Sequence, residues 1–172
     1  MSQESAPKRA LSIVVVFAFI RRGDEIVMVE RALPPYAGTR TIPGGHKRLG
    51  EALPAACLRE MEEETGLTLH DLRFAGLMQV CRGADRDALC VYYVADSFSG
   101  ELRSSNEGPV FWADARECLA MKESHPALRA LLPFIINNDF PFTAEAVTDD
   151  EGRGTYSVVG VNCSEPVSKV FE

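Results

Sequence analysis

Residues 45–67 read GHKRLGEALPAACLREMEEETGL, and three carboxylates near the end of this stretch organise everything around it. Glu60, Glu63 and Glu64 stand at i, i+3 and i+4, so one turn of helix sets all three on one face. Like charges at that spacing repel and weaken the helix unless a cation sits among them. Carboxylate oxygens are hard donors that suit Mg²⁺ or Mn²⁺, ions that keep positions open for water and substrate phosphates. A lone E-x-x-E-E is more often a solvated acidic face, and Glu63 and Glu64 read as surface carboxylates. The residues around them carry the reading further.

The helix bearing these carboxylates runs from about Ala52 to Thr65. Pro54 is tolerated in its first turn, Glu51 suits the positive end, and Gly66 is a good stop. Upstream, residues 33–50 are rich in Pro and Gly and predict a loop with room for a short strand. Further back, Ser12–Phe19 and Glu25–Glu30 form a hairpin across Arg22-Gly23-Asp24. Downstream, Leu72–Cys81 and Asp87–Ala95 read as strands joined by the polar residues 82–86. Short strand pieces are expected at Glu101–Ser105 and Pro109–Ala113, and helices at Asp114–Met121 and His125–Asn137. A second hairpin, Phe142–Thr148 and Thr155–Val161, turns through residues 149–152. This mixture predicts an α/β fold, a mixed sheet with helices on its faces. At 172 residues the chain can bury one good core. We divide it into a flexible N-terminal arm (1–9), a single domain (10–163) and a C-terminal tail (164–172).

The net charge of −7, with no basic run, argues against a nucleic-acid polymer as partner. It also means that a phosphate substrate needs local cations, which metal on the glutamate face would supply. Five cysteines, odd in number and without Cys-x-x-Cys spacing, fit a reduced, cytoplasmic compartment. Lys8-Arg9 and the apolar run Leu11–Ile20 imitate a signal peptide, but no small-residue cleavage site follows. The run reads as a buried strand, too short to span a membrane. Two features of the central stretch have independent physical logic. Glycine at 44 and 45 permits unusual dihedrals and close approach of a carbonyl to a metal. Arg59 and Glu63 form an i, i+4 pair, so the guanidinium can hold a carboxylate while its other donors reach the loop.

Gly45, Glu51, Arg59, Glu60, Met61, Glu63, Glu64, Gly66 and Leu67 occupy every specified position of G-x5-E-x7-R-E-U-x-E-E-x-G-U, U being a bulky aliphatic residue. The stretch thereby resembles the signature of the Nudix hydrolases, and Pro43-Gly44-Gly45 is similar to the family's usual approach to it. The resemblance implies an α/β/α sandwich with a mixed β-sheet. It implies a Mg²⁺ or Mn²⁺ site built from the Gly45 carbonyl, Glu60, Glu63 and Glu64, with Arg59 orienting the catalytic glutamate. Glu51 is expected near the metals, with a charge at the helix start as the alternative. Glu60 is the first candidate for general base. Glu107 is the second, because Gly100-Glu101-Leu102 and Glu107-Gly108 through Trp112 resemble G-x-L…E-G-x-x-x-W in members that cleave nucleoside triphosphates; a solvated turn is the alternative. The likeness makes Arg31 a phosphate contact, against an exposed strand-end charge. Tyr36, Phe98, Phe111 and Trp112 are candidates to stack on a base, Trp112 being the better core residue. Asn137 and Asn138 could read a purine edge or simply cap a helix. His46, His70 and His125 share no ligand spacing and receive no role.

The activity this implies is metal-dependent hydrolysis of a nucleoside triphosphate to monophosphate and pyrophosphate. An oxidised purine nucleotide is one candidate, since residues 140–144 loosely resemble MutT-like members that cleave 8-oxo-dGTP. The alternative substrate is a nucleoside diphosphate linked to another group: a sugar, ADP-ribose or a dinucleoside polyphosphate. The downstream proline of the ADP-ribose and NADH subgroups is absent, Arg82 and Gly83 standing there. A non-catalytic nucleotide sensor is the alternative of another class, and the full set of glutamates weighs against it. The partner is a small nucleotide; oligomeric state is open, a homodimer included.

Overall fold

The computed structural model describes residues 12–34, 36–82, 86–149, 152–160 and 167–171. In chain order these form β1 (Ser12–Arg22), β2 (Glu25–Glu30), β3 (Arg40–Thr41), β4 (Gly44–His46), α1 (Leu53–Thr65), β5 (Leu67–Leu69), β6 (Arg73–Arg82) and β7 (Arg86–Ala95). There follow β8 (Phe98–Gly100), β9 (Val110–Asp114), α2 (Ala115–Ala120), α3 (Pro126–Ile136), β10 (Phe142–Thr148), β11 (Gly154–Gly160) and β12 (Val167–Phe171).

β1 is apolar almost throughout because it is buried on both faces, as a central strand must be. Its alternate residues serve two cores. Val16, Ala18 and Ile20 join Ala56, Cys57 and Met61 of α1. Phe19 joins Leu128, Leu131 and Ile135 of α3 and Cys118 of α2 on the opposite face, with Val15 and Phe17 packed alongside. The result is an α/β/α sandwich. The main sheet runs β12-β11-β10-β6-β7-β1-β2-β3, with β4 also on β1 and β9 on β2. It is mixed: β1 pairs β7 and β6 pairs β10 in parallel, and the other pairings are antiparallel.

α1 has no side-chain N-cap and begins with Pro54 in its first turn. It ends at Gly66, whose φ of 75° and N–H bond to the Glu62 carbonyl make a left-handed stop. Burying Met61 completely is worth about 2 kcal/mol. α3 ends at Asn137, followed by Asn138 at φ 54°, so this asparagine pair terminates a helix.

Three expectations need correction. The short strand expected at 101–105 is Phe98–Gly100 instead, which pairs with Leu67–Leu69 in a separate two-stranded ladder. Part of the expected C-terminal tail is the edge strand β12, paired with β11. Both elements are too short or too terminal to show a period in sequence. β1 also runs three residues further than predicted, to Arg22. The N-terminal arm lies outside the described residues. Cys57, Cys81, Cys90 and Cys118 are free thiols. No helix among the described residues is long and apolar enough to cross a membrane.

Candidate functional site

β4 lies against β1 with Val16 opposite Gly45 and Phe17 opposite Gly44, which brings this short strand under α1. A Cβ at Gly44 would overlap the Phe17 ring, and one at Gly45 would overlap the Glu60 carboxylate. Neither glycine has a positive φ. Glycine is needed here for space; the unusual dihedrals expected from sequence are not used.

Arg59 is the hub of the site. Its Nε and Nη2 donate to Glu51 Oε1 and Oε2 at 2.8 and 2.9 Å, a bidentate pair. Nη1 reaches Glu60 Oε1 at 2.7 Å and Glu63 Oε2 at 3.1 Å, while Nη2 also reaches the His46 carbonyl at 3.2 Å. One side chain, only 17% exposed, thus ties two turns of α1 to the loop before it. Glu51 accepts a further bond from the Arg48 N–H at 2.9 Å. The Arg59 guanidinium holds the Glu51 carboxyl down at about 2. Glu51 precedes the helix, whose first turn carries no acidic residue, so its work is to anchor Arg59. Glu63 is 50% exposed and shared between Arg59 and Arg48, the latter at 3.3 Å.

Glu64 departs from the surface role read in the sequence: it is 9% exposed. The buried stripe of α1 passes through Cys57, Met61 and Glu64, at i, i+4 and i+7, so the helix turns this carboxylate inward. It accepts a hydrogen bond from Gly44 N at 3.0 Å. Burial pushes its carboxyl up to about 7, with the negative charges of Glu60 and Glu107 adding to the rise and the Gly44 bond and Arg31 opposing it. Glu60 and Glu64 therefore meet at the Gly44–Gly45 strand, while Glu63 faces Arg48 and Arg59. Among the described residues no three acid, His or Cys side chains form a ready-made metal cage. The donor set still fits a hard divalent cation: it is all oxygen, and a buried carboxylate crowded by like charge gains from a proton or a metal.

Arg31 and Glu107 converge on the same place, Arg31 Nη2 lying 3.6 Å from Glu107 Oε2. The loop carrying Glu107 is laced to the end of β2 by Glu30 N to the Pro109 carbonyl (2.9 Å) and Ala32 N to the Glu107 carbonyl (2.8 Å). Gly108, at φ +139°, permits this approach; a Cβ there would strike the Glu30 carbonyl. Arg31 Nε is buried without a hydrogen-bond partner among the described residues.

From Arg31 and His46 a cavity of about 330 Å³ runs between the sheet and α3. Phe17, Met78, Val80 and Tyr92 line its sheet side and Leu128 and Leu131 its helix side. Tyr36, Arg82, His125 and Thr148 also border it. Of the stacking candidates, Tyr36 alone lines this space. Trp112 packs on Phe98 (centroids 5.5 Å apart) under the Arg22 guanidinium, and Phe111 lies beneath Arg40. Asn138 is elsewhere too, accepting from Arg21 Nη1 at 2.8 Å beside a separate open groove. Arg82 and Thr148 escaped the sequence reading as site residues, and His125 receives no role in it. The available signal was alternation: Arg82 continues the face of Met78 and Val80, and Thr148 that of Phe142, Ala144 and Ala146.

The NUDIX domain profile matches residues 11–133. The chain is similar to an ADP-ribose pyrophosphatase of Methanocaldococcus jannaschii, 30% identical over 98 residues, 55% of this chain and 56% of that protein. It is also similar to a Mycobacterium tuberculosis protein whose name makes it provisionally an 8-oxo-dGTP diphosphatase, 31% identical over 108 residues, 62% of this chain and 77% of the relative. The NAD-capped RNA hydrolase NudC of Haemophilus influenzae is 34% identical over 93 residues, 53% of this chain and 33% of that protein. The matched region thus spans little more than half of the archaeal relative and a third of NudC. Among solved structures, a MutT protein from Bacillus halodurans shares the fold with a TM-score of 0.77 at 18% identity, over 85% of this chain and 97% of that one. A MutT NUDIX hydrolase from Burkholderia pseudomallei gives 0.64 at 26% identity, over 72% and 97%. The profile covers well over half of the sequence and the sandwich is shared by solved members, so this chain belongs to the Nudix family.

Proposed function

We propose that this protein is a divalent-metal-dependent hydrolase that splits a phosphoanhydride of a nucleoside triphosphate, giving nucleoside monophosphate and pyrophosphate. The observation that carries this reading is continuity. Arg31, whose charge acts on the buried Glu64 of α1, also lines an apolar cavity with the volume for a nucleoside, and this shared arginine supports reading the carboxylates and the cavity together.

Glu60, Glu63 and Glu64, with the Gly45 carbonyl, would hold Mg²⁺ or Mn²⁺. The ion would neutralise phosphate oxygens and acidify water at the phosphorus. Arg59 fixes the Glu60 and Glu63 rotamers, and Glu51 fixes Arg59. Glu60 is the first candidate to take the proton of the attacking water, with Glu107 second; the new P–O bond forms as the anhydride P–O bond breaks. Arg31 pairs with the phosphates, releasing Glu107 toward the reacting water.

A second reading has one observation in its favour, the likeness to the archaeal ADP-ribose pyrophosphatase. In it the same site cleaves a nucleoside diphosphate linked to a sugar. Product analysis separates the two. Incubation with Mg²⁺ and a nucleotide panel gives pyrophosphate plus monophosphate in the first case and two monophosphate products in the second. Release of orthophosphate alone, or of nothing, contradicts both.

A further inference from the structure

Thr148 is the last buried residue of a strand whose inward face is otherwise Phe142, Ala144 and Ala146. It is 7% exposed, and its Oγ1 has no hydrogen-bond partner among the described residues. Arg82 stands beside it, the two being register partners across the parallel β6–β10 pair, and both border the cavity. Arg82 Nε is likewise buried and without a hydrogen-bond partner among the described residues. Its guanidinium carbon lies 5.4 Å from the centre of the Tyr36 ring, which also borders the cavity. Buried polar groups in folded proteins are nearly always paired, so two adjacent unpaired ones facing a single empty space point to a ligand that pairs them.

The remaining polar lining adds an imidazole N–H and several hydroxyls, which donate as well as accept. His125 Nδ1 accepts from Ala127 N at 3.2 Å at the start of α3, which leaves the ring proton of the neutral imidazole on Nε2. Tyr156 Oη donates to the Gly152 carbonyl at 2.7 Å. Among the described residues lining the cavity there is no Asp, Glu, Asn or Gln. An arginine can only donate, and a neutral imidazole whose Nδ1 is occupied offers only its N–H. The cavity is thus rich in donors and lacks carboxylate or carboxamide acceptors.

We propose that Arg82 and Thr148 bind the nucleobase, and that Arg82, which can only donate, selects oxo-bearing bases over their amino counterparts. This rests on the cavity holding the nucleoside end of the substrate. An amino group in the same place would meet the N–H groups of Arg82 and His125, which cannot accept; the Thr148 hydroxyl can accept as well as donate, so the discrimination falls on the donor-only arginine.

Equilibrium binding of nucleoside monophosphates to the metal-free protein reads this pocket without hydrolysis. Two pairs differ by one oxo-for-amino exchange: inosine against adenosine monophosphate, and uridine against cytidine monophosphate. In at least one pair the oxo member binds about tenfold tighter or more to the wild type. Arg82→Met brings that ratio below about threefold, while Thr148→Val, nearly isosteric, weakens both members of a pair and Thr148→Ser keeps both affinities. Inorganic phosphate affinity stays unchanged in all three. A wild-type ratio near one in both pairs, a ratio that survives Arg82→Met, or affinities untouched by Thr148→Val overturns the proposal. Triphosphate hydrolysis in Mg²⁺ is scored separately. Base preference without turnover contradicts the proposed activity and leaves this assignment standing; turnover with no base preference does the reverse.

Discussion

Replacing Glu64 by Gln removes the one buried carboxylate of the site and leaves its shape. In the folded metal-free protein burial holds this group at about 7, against an ordinary 4.5. The folded state therefore binds more protons than the unfolded chain between those values, and stability falls as pH rises through that window. The difference is worth about 3 kcal/mol once pH is well above 7, and close to nothing near pH 4. Glutamine stays neutral at every pH and can still accept from Gly44 N through its amide oxygen. Its extra N–H group adds a cost of about 1–3 kcal/mol if unpaired, but that cost does not vary with pH. The quantity to measure is the change in the stability difference between variant and wild type, from urea unfolding in EDTA at pH 4.5 and pH 8. The variant should gain about 3 kcal/mol relative to wild type across that range. Added Mg²⁺ should cancel the gain at pH 8, since the metal stabilises the ionised wild-type carboxylate. A difference that stays flat with pH refutes the burial argument, and one that grows toward acid reverses its sign.

Other perturbations address the remaining parts. Arg59→Lys cannot span Glu51, Glu60, Glu63 and the His46 carbonyl with one ammonium, so kcat should fall by about 10²-fold with KM little changed; rescue by lysine would show that charge alone suffices. Gly45→Ala should abolish turnover by displacing Glu60. Gly50→Ala, at φ +76° in open space, should cost about 1 kcal/mol of stability and keep activity. His125 is held near 4 by burial, with Arg82, Arg31 and Arg129 adding to the depression, so its contribution is present above 6.5 and lost as pH falls toward 4. His125→Asn should lose about 3 kcal/mol less than wild type between pH 7 and pH 4.

What was legible in the sequence, and what was not, follows the range of the interactions. α1 announced itself because Pro54, Gly66 and the glutamate spacing are local signals, and β1 because burial on both faces makes an unbroken apolar run. Arg59 and Glu63 sit one turn apart, so their contact could be read from spacing alone. The burial of Glu64 follows the helical stripe through Cys57 and Met61, but the bond from Gly44 that satisfies it joins a three-residue strand to a helix, and no period reveals that partner. The cavity is more remote still. Arg31, Arg82, His125 and Thr148 come from four separate segments, and they share a space only through the order of strands β10-β6-β7-β1. A polar residue on an apolar strand face was the available clue, visible at Arg82 and Thr148. Gly44 and Gly45 show the converse: the residue type was informative, but the reason was a close approach of side chains.

The central claim is that the carboxylates of α1 hold a divalent cation that drives phosphoanhydride cleavage. Its most direct test is initial-rate hydrolysis of a nucleoside triphosphate against Mg²⁺ concentration, for wild type and for Glu63→Gln, with thermal unfolding in parallel. Glu63 is half exposed, so the substitution should leave the melting temperature within a few degrees. The account predicts saturable Mg²⁺-dependent turnover in the wild type and a loss of about 10²-fold or more in the variant. Wild-type rates in a folded Glu63→Gln protein, or turnover indifferent to Mg²⁺, would contradict it.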